Sequence, residues 1–158
     1  MPPRVSEILP PGNEAKDAFD TIRLDHDQRR LRRKVLRLSG GSEILLDLPQ
    51  TVSLEHESLL RLEDGRLVQV IAAEELLYAV RANDAGHLLR LAWHIGNRHT
   101  PAQLDPDRIL IKRDHVLKTM LEGLGARVSN ISEPFFAEHG AYHSHNHGNE
   151  SHALLAQR

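Results

Sequence analysis

The sequence predicts an α+β protein in two folded parts: a small N-terminal β domain, then a β-α-β-β-α-β domain that ends in a histidine-rich tail. Three observations carry this. Short apolar runs separated by glycine-containing turns fill the stretch up to about Ala73. Two segments of helical periodicity, each behind an aspartate, alternate with strand-like runs between Glu74 and Ile131. Beyond Pro134 apolar periodicity fades, and five of the 11 histidines (His139, His143, His145, His147 and His152) fall in the last twenty residues.

In chain order, Met1 to about Lys16 carries Pro2, Pro3, Pro10, Pro11 and Gly12, and reads as irregular or as one short edge strand. Val35, Leu36 and Leu38 form one strand, Ile44 to Leu48 the next, and Gly40-Gly41 marks a hairpin between them. Leu59, Leu60 and Leu62 form a third run and Leu67 to Ala72 a fourth. Asp64-Gly65 between them offers a type I′ turn. Leu76 to Val80 is a further strand. Asp84 is a helix N-cap, Leu88, Leu89, Ala92 and Ile95 are the apolar stripe behind it, and Gly96-Asn97 is the stop. Leu104 and Arg108 to Ile111 make two strands that turn at Asp105-Pro106-Asp107. Asp114 caps a second helix with the stripe Val116, Leu117, Met120, Leu121 and Leu124, closed by Gly125. Ala126 to Ile131 is the last strand. The order is ferredoxin-like, a fold that hosts many unrelated functions and assigns none alone. The expected boundaries are 1–74, 75–137 and 138–158, the last a disordered His-rich tail.

Composition narrows the function. The chain has 158 residues, no cysteine and a net charge of −2. Disulfide scaffolds, thiolate metal sites and iron–sulfur clusters are excluded. A nucleic-acid binder would show a basic excess, so none is expected as a partner. No run is long enough to cross a bilayer and the N-terminus has no signal-peptide core, so a soluble cytoplasmic protein is expected. P-loop, GxGxxG, GxSxG and HExxH patterns are missing, which weighs against an enzyme. Arg29-Arg30-Leu31-Arg32-Arg33-Lys34 reads as the solvated face and lead-in of an edge strand, where cations discourage edge pairing. Asp25-His26-Asp27 beside it reads as surface.

What remains is imidazole chemistry. His99 follows the first helix, in a loop where its ring can reach solvent or a partner. The plainer reading is that Arg98 and His99 offset the helix dipole. His115 opens the second helix and gains weight only if His99 lies close in space. His143-Ser144-His145-Asn146-His147 puts three imidazoles on one side of an extended chain, and His152 follows. Interleaved with serine, asparagine and glycine, the tract is unlike an expression tag, which is normally a consecutive run. Imidazole suits zinc, copper, nickel and iron, so ligand type cannot rank nickel above Zn²⁺ or Cu²⁺. Ligation requires neutral rings and competes with protons. Loose, reversible binding suits a carrier better than a catalytic centre, whose ligands must be rigid. One histidine per chain cannot hold a metal, whereas a twofold homodimer doubles every ligand at its axis.

Gly96-Asn97-Arg98-His99, Asp114-His115-Val116-Leu117, Met120-Leu121, Leu124-Gly125, Pro134-Phe135 and Gly140-Ala141-Tyr142 before the tail resemble the UreE family of urease accessory proteins. Asp64 to Ala73 resembles the end of that family's first domain. The resemblance runs from about Arg29 onwards. It implies a nickel metallochaperone that delivers Ni²⁺ to apo-urease, with an N-terminal domain for peptide or partner protein. It also implies a homodimer through C-terminal domains, with His99 binding nickel at the interface, and accessory partners that include the GTPase UreG. Association of two dimers around one ion stays open. The sequence departs from the family at Arg113-Asp114-His115, which keeps one histidine of a His-x-His pair. It departs again at Ala137, where proline is usual, and at His56-Glu57, where Gly-Asp is common. The rival reading is a protein-binding assembly factor for which metal is incidental.

Overall fold

The computed structural model describes residues 1–139. The N-terminal part is all β apart from one 3-10 turn at Asn13–Asp17. It contains β1 (Val5–Leu9), β2 (Asp20–Leu24), β3 (Arg30–Arg37), β4 (Glu43–Ser53), β5 (Leu59–Leu62) and β6 (Leu67–Ala72). β1, β5, β6 and β2 form one sheet in that order, antiparallel except that β2 runs parallel to β6. β3 and β4 pair as a separate antiparallel ribbon. Alternate residues of both layers, among them Ile22, Leu36, Ile44, Leu46, Leu60, Val68 and Val70, bury into one core. The proline-rich N-terminus thus supplies the edge strand that its composition allows.

Both hairpins use a three-residue loop rather than the two-residue turn expected at Asp64-Gly65. The Leu62 N–H donates to Arg66 O and the Gly65 N–H to Leu62 O. A type I′ turn needs positive φ at both central residues, and only Gly65 has it, at 91°. The Leu38–Ser42 loop repeats the pattern, with Gly41 at φ 99°. In each loop glycine stands at the one left-handed position.

The C-terminal part has β7 (Glu74–Arg81), α1 (Ala85–Asn97), β8 (Ala102–Leu104), β9 (Ile109–Lys112), α2 (His115–Gly123) and β10 (Arg127–Pro134). This is the β-α-β-β-α-β order expected, and the strands lie in the order β10-β7-β9-β8, all antiparallel. Asp84 caps α1 by accepting from the His87 N–H, and Asp114 caps α2 by accepting from Val116 and Leu117. Leu91, Ile95, Leu117 and Leu121 pack on Tyr78, Val80, Ile109 and Ile111. Leu89, expected in the α1 stripe, is instead 73% exposed, as is Val116 of α2 at 57%. Arg108 is clamped between Asp105 (2.8 Å) and Glu133 (2.8 Å), ties the β8–β9 turn to β10, and holds Glu133 below the usual carboxylate range.

Strand β10 runs three residues further than expected, and burial continues beyond it to Ala137. Phe135 is fully buried and, with Ala137, covers Leu77, Ala79 and Leu110 on the sheet face away from the helices. Residues 135–139 are a strap over that face, fastened by the Glu138 N–H on Ala102 O and the Phe136 N–H on Gln103 Oε1.

Candidate metal-binding histidines and the cleft beside them

The end of α1 holds an exposed imidazole. The helix continues through Gly96-Asn97, past the expected stop, and Arg98 is its C-cap. The chain turns only at His99, which takes φ 56° and donates its N–H to Gly96 O (3.0 Å). That is the position where helices usually place glycine. α2 ends in the ordinary way: Gly125 holds φ 90° and donates to Glu122 O, while Ala126 donates to Leu121 O. Both helices place a left-handed residue just after the C-cap and bond its N–H to the carbonyl three residues back, and only α1 fills that position with a side chain. Strain of this kind costs about 1 kcal/mol or more and persists where something else compensates.

Hydrogen bonding sorts the other described histidines by tautomer. His56 Nδ1 accepts from the Ala72 N–H (3.0 Å) and His87 Nδ1 from the Asn83 N–H (3.0 Å). In both rings the proton must then sit on Nε2. His87 Nε2 donates to Leu124 O (2.8 Å), pinning the start of α1 to the end of α2, and His56 Nε2 faces Glu57 Oε1 at 3.5 Å. Neither ring has a lone pair left for a metal. His26 Nδ1 lies 3.3 Å from Asp27 Oδ1 and the ring packs on Phe135. His94 stands edge-on to Trp93. The rings of His99 and His115 have no hydrogen-bond partner among the described residues, and both residues are exposed.

His99 also borders a cleft of about 740 Å³ between the two parts of the chain. Its other walls include His26, Arg29, His56, Phe136 and His139. Of Asp25-His26-Asp27, read as surface, His26 lines the cleft, whereas Asp27 stays on the surface with its side chain 72% exposed. The His26 N–H donates to Glu75 Oε2 (2.9 Å), and Asp27 accepts from Lys112 Nζ (2.7 Å), which holds the Asp27 carboxyl below its usual range. Arg29 corrects the basic-run reading: it is buried, 4% exposed, donates to Leu24 O and Phe135 O, and lies against the Phe136 ring. Burial pushes its guanidinium below the ordinary arginine value, with Glu75 and Asp25 acting in the opposite direction. The sequence carried no local signal for either role, because the partners lie far along the chain: Glu75 and Lys112 for His26 and Asp27, and Phe135 of the strap for Arg29.

The structure brings His99 together with His26, His56 and His139 along one cleft, and His115 is not among the lining residues. Among the described residues no group of three or more His, Asp or Glu side chains is gathered closely enough to hold a metal ion. His143, His145, His147 and His152 lie outside the described residues. No described helix is long and apolar enough to cross a membrane.

Comparison with known proteins decides the family. Residues 5–73 match the model of the UreE urease accessory protein N-terminal domain, and residues 75–156 match that of the C-terminal domain. The chain belongs to the UreE family. Relatives named urease accessory protein UreE include that of Chelativorans sp. (strain BNC1), 56% identical over 135 residues, which are 85% of each chain. That of Rhizobium meliloti (strain 1021) is 49% identical over 148 residues, 94% of this chain and 96% of the relative. That of Rhizobium rhizogenes is 48% identical over 149 residues, 94% of this chain and 88% of the relative. The UreE family consists of accessory chaperones of urease maturation, not of enzymes.

Proposed function

We propose that this UreE chain is a nickel carrier that delivers Ni²⁺ to apo-urease, with accessory proteins such as the GTPase UreG as partners. The observation that carries the reading is His99. An exposed imidazole, with neither ring nitrogen engaged among the described residues, is kept at a left-handed helix terminus where glycine is conformationally cheaper.

Among the described residues one chain gathers too few ligands for a metal ion, so the reading includes a homodimer. Leu89, Trp93 and Gly96 line up on the exposed side of α1, with Leu89 73% and Trp93 64% exposed, and the stripe runs toward His99. Two such faces packed about a twofold axis would bury both tryptophans and set two His99 rings near the axis. Gly96, with open space around its Cα, permits close approach. Tail histidines His143, His145, His147 and His152 would add ligands, and His115 stands behind them as a weaker candidate. The division of labour follows the chain: a β domain up to Glu74 for partner contacts, a ferredoxin-like metal-binding domain over 75–137, and the His-rich tail over 138–158.

Urease activation at limiting nickel tests this. A protein carrying His99→Asn and truncated after Tyr142 should fail to activate urease at low nickel, and added nickel should restore activity. Full activation at low nickel by that protein would instead favour an assembly factor for which metal is incidental.

A further inference from the structure

Among the described residues, strand β3 has a neighbour on one side only. Its sheet there contains β3 and β4 and no third strand, so the outer edge of β3 presents backbone groups that no described strand pairs. Of its eight residues, Arg30, Arg32, Arg33, Lys34 and Arg37 are cations, and all five are exposed. None forms an ion pair among the described residues. Arg33 stands opposite Asp47 in the register, yet Asp47 pairs with Arg4 instead (3.7 Å). Arg37 stands opposite Glu43 without a salt bridge. Val35, between them, is 46% exposed. This concentration of charge sits on a chain whose net charge is −2, so it is a local property of the ribbon.

Cations along an edge repel a second copy of the same edge, which is why they protect against self-association. The same charges attract a strand of opposite sign, because residues directly opposite across an antiparallel pair are close enough for their charges to act. We propose that the outer edge of β3 is a docking strand for an extended, acidic segment of a partner protein. Backbone hydrogen bonds would supply the alignment, Arg33, Lys34 and Arg37 the charge selection, and Val35 an apolar contact. Nucleic acid fits less well, since neither β3 nor β4 carries an aromatic side chain on which bases could stack. The site is remote in chemistry from His99, so its failure would leave the nickel reading intact.

The test uses the full-length protein and a fluorescent peptide of alternating glutamate and valine, matched in length to the eight residues of β3. Three further probes accompany it: the same peptide N-methylated at alternate amides, a lysine–valine peptide, and a single-stranded oligonucleotide of similar charge. The acidic peptide should bind in a salt-sensitive way. Binding should weaken about tenfold or more with Arg33→Glu/Arg37→Glu, and similarly with N-methylation in the unsubstituted protein. The lysine–valine peptide should not bind. Acidic-peptide binding that is undetectable at millimolar concentration, or that is indifferent to N-methylation, would overturn the proposal. So would an oligonucleotide that binds as tightly as the acidic peptide. If the double variant fails to fold, judged by its circular dichroism, the N-methylated arm alone decides.

Discussion

His99 sits at φ 56°, where a Cβ crowds the backbone and glycine is relieved of that contact. If the side chain is retained for ligation, removing it should raise stability while lowering metal affinity. His99→Gly is expected to stabilise the fold by about 1 kcal/mol, raising the melting temperature by roughly 2–4 °C in calorimetry, and to weaken nickel binding. A loss of stability would mean that the imidazole makes contacts in the protein that outweigh the strain. Glu57, at φ 69°, makes a useful comparison because it carries the same backbone strain without a candidate ligand. Glu57→Gly should give a similar gain with nickel binding unchanged. The sequence made His99 visible as a loop histidine, but not its dihedral. The helix was expected to stop at Gly96-Asn97 because glycine is the usual stop residue, and here the stop is the histidine itself.

The elements that periodicity and capping define were legible: β7 to β10, both helices, and the N-caps Asp84 and Asp114 match the expected places. What escaped was long-range packing. A buried arginine and a buried phenylalanine look the same in sequence as exposed ones, and Arg29 and Phe135 are buried by each other's segments. The β2–β3 loop and the 135–139 strap therefore act as one latch between the two parts of the chain. Arg29→Ala would leave Leu24 O and Phe135 O without their donor, and should cost about 2–4 kcal/mol in urea unfolding. Thermal scans of this variant should also separate the two parts into distinct transitions; a single unshifted transition would show that the latch contributes little. The Asp27–Lys112 pair gives the latch a pH signature. The Asp27 carboxyl lies below its ordinary 3.8 in the folded protein, so its contribution is complete above that value and is lost as the pH falls through the lower, folded-state value. Asp27→Asn should remove that part of the acid dependence together with the equal contribution at neutral pH, and both changes should be small because the pair is exposed.

At the scale of the molecule, the described residues hold no closed metal cluster, and α1 presents Leu89 and Trp93 to solvent next to the His99 turn. Both features make sense together if the unit that binds metal is a dimer. Trp93→Asp is expected to shift the protein toward monomer in light scattering and to lower nickel affinity without unfolding it, since the side chain is largely exposed. A dimer that survives this change would place the interface elsewhere. The site was only partly legible at this level. Single residues could be nominated from helix ends and histidine spacing, whereas the cleft that joins His99 to His26, His56 and His139 arises from the packing of one part of the chain on the other. Calorimetric Ni²⁺ titration of the unsubstituted protein and of His99→Asn, with oligomeric mass measured in parallel, tests the account most directly, because asparagine tolerates the left-handed backbone. The variant should stay dimeric and lose the tightest nickel-binding event; unchanged stoichiometry and affinity would contradict a role for His99 in holding the metal.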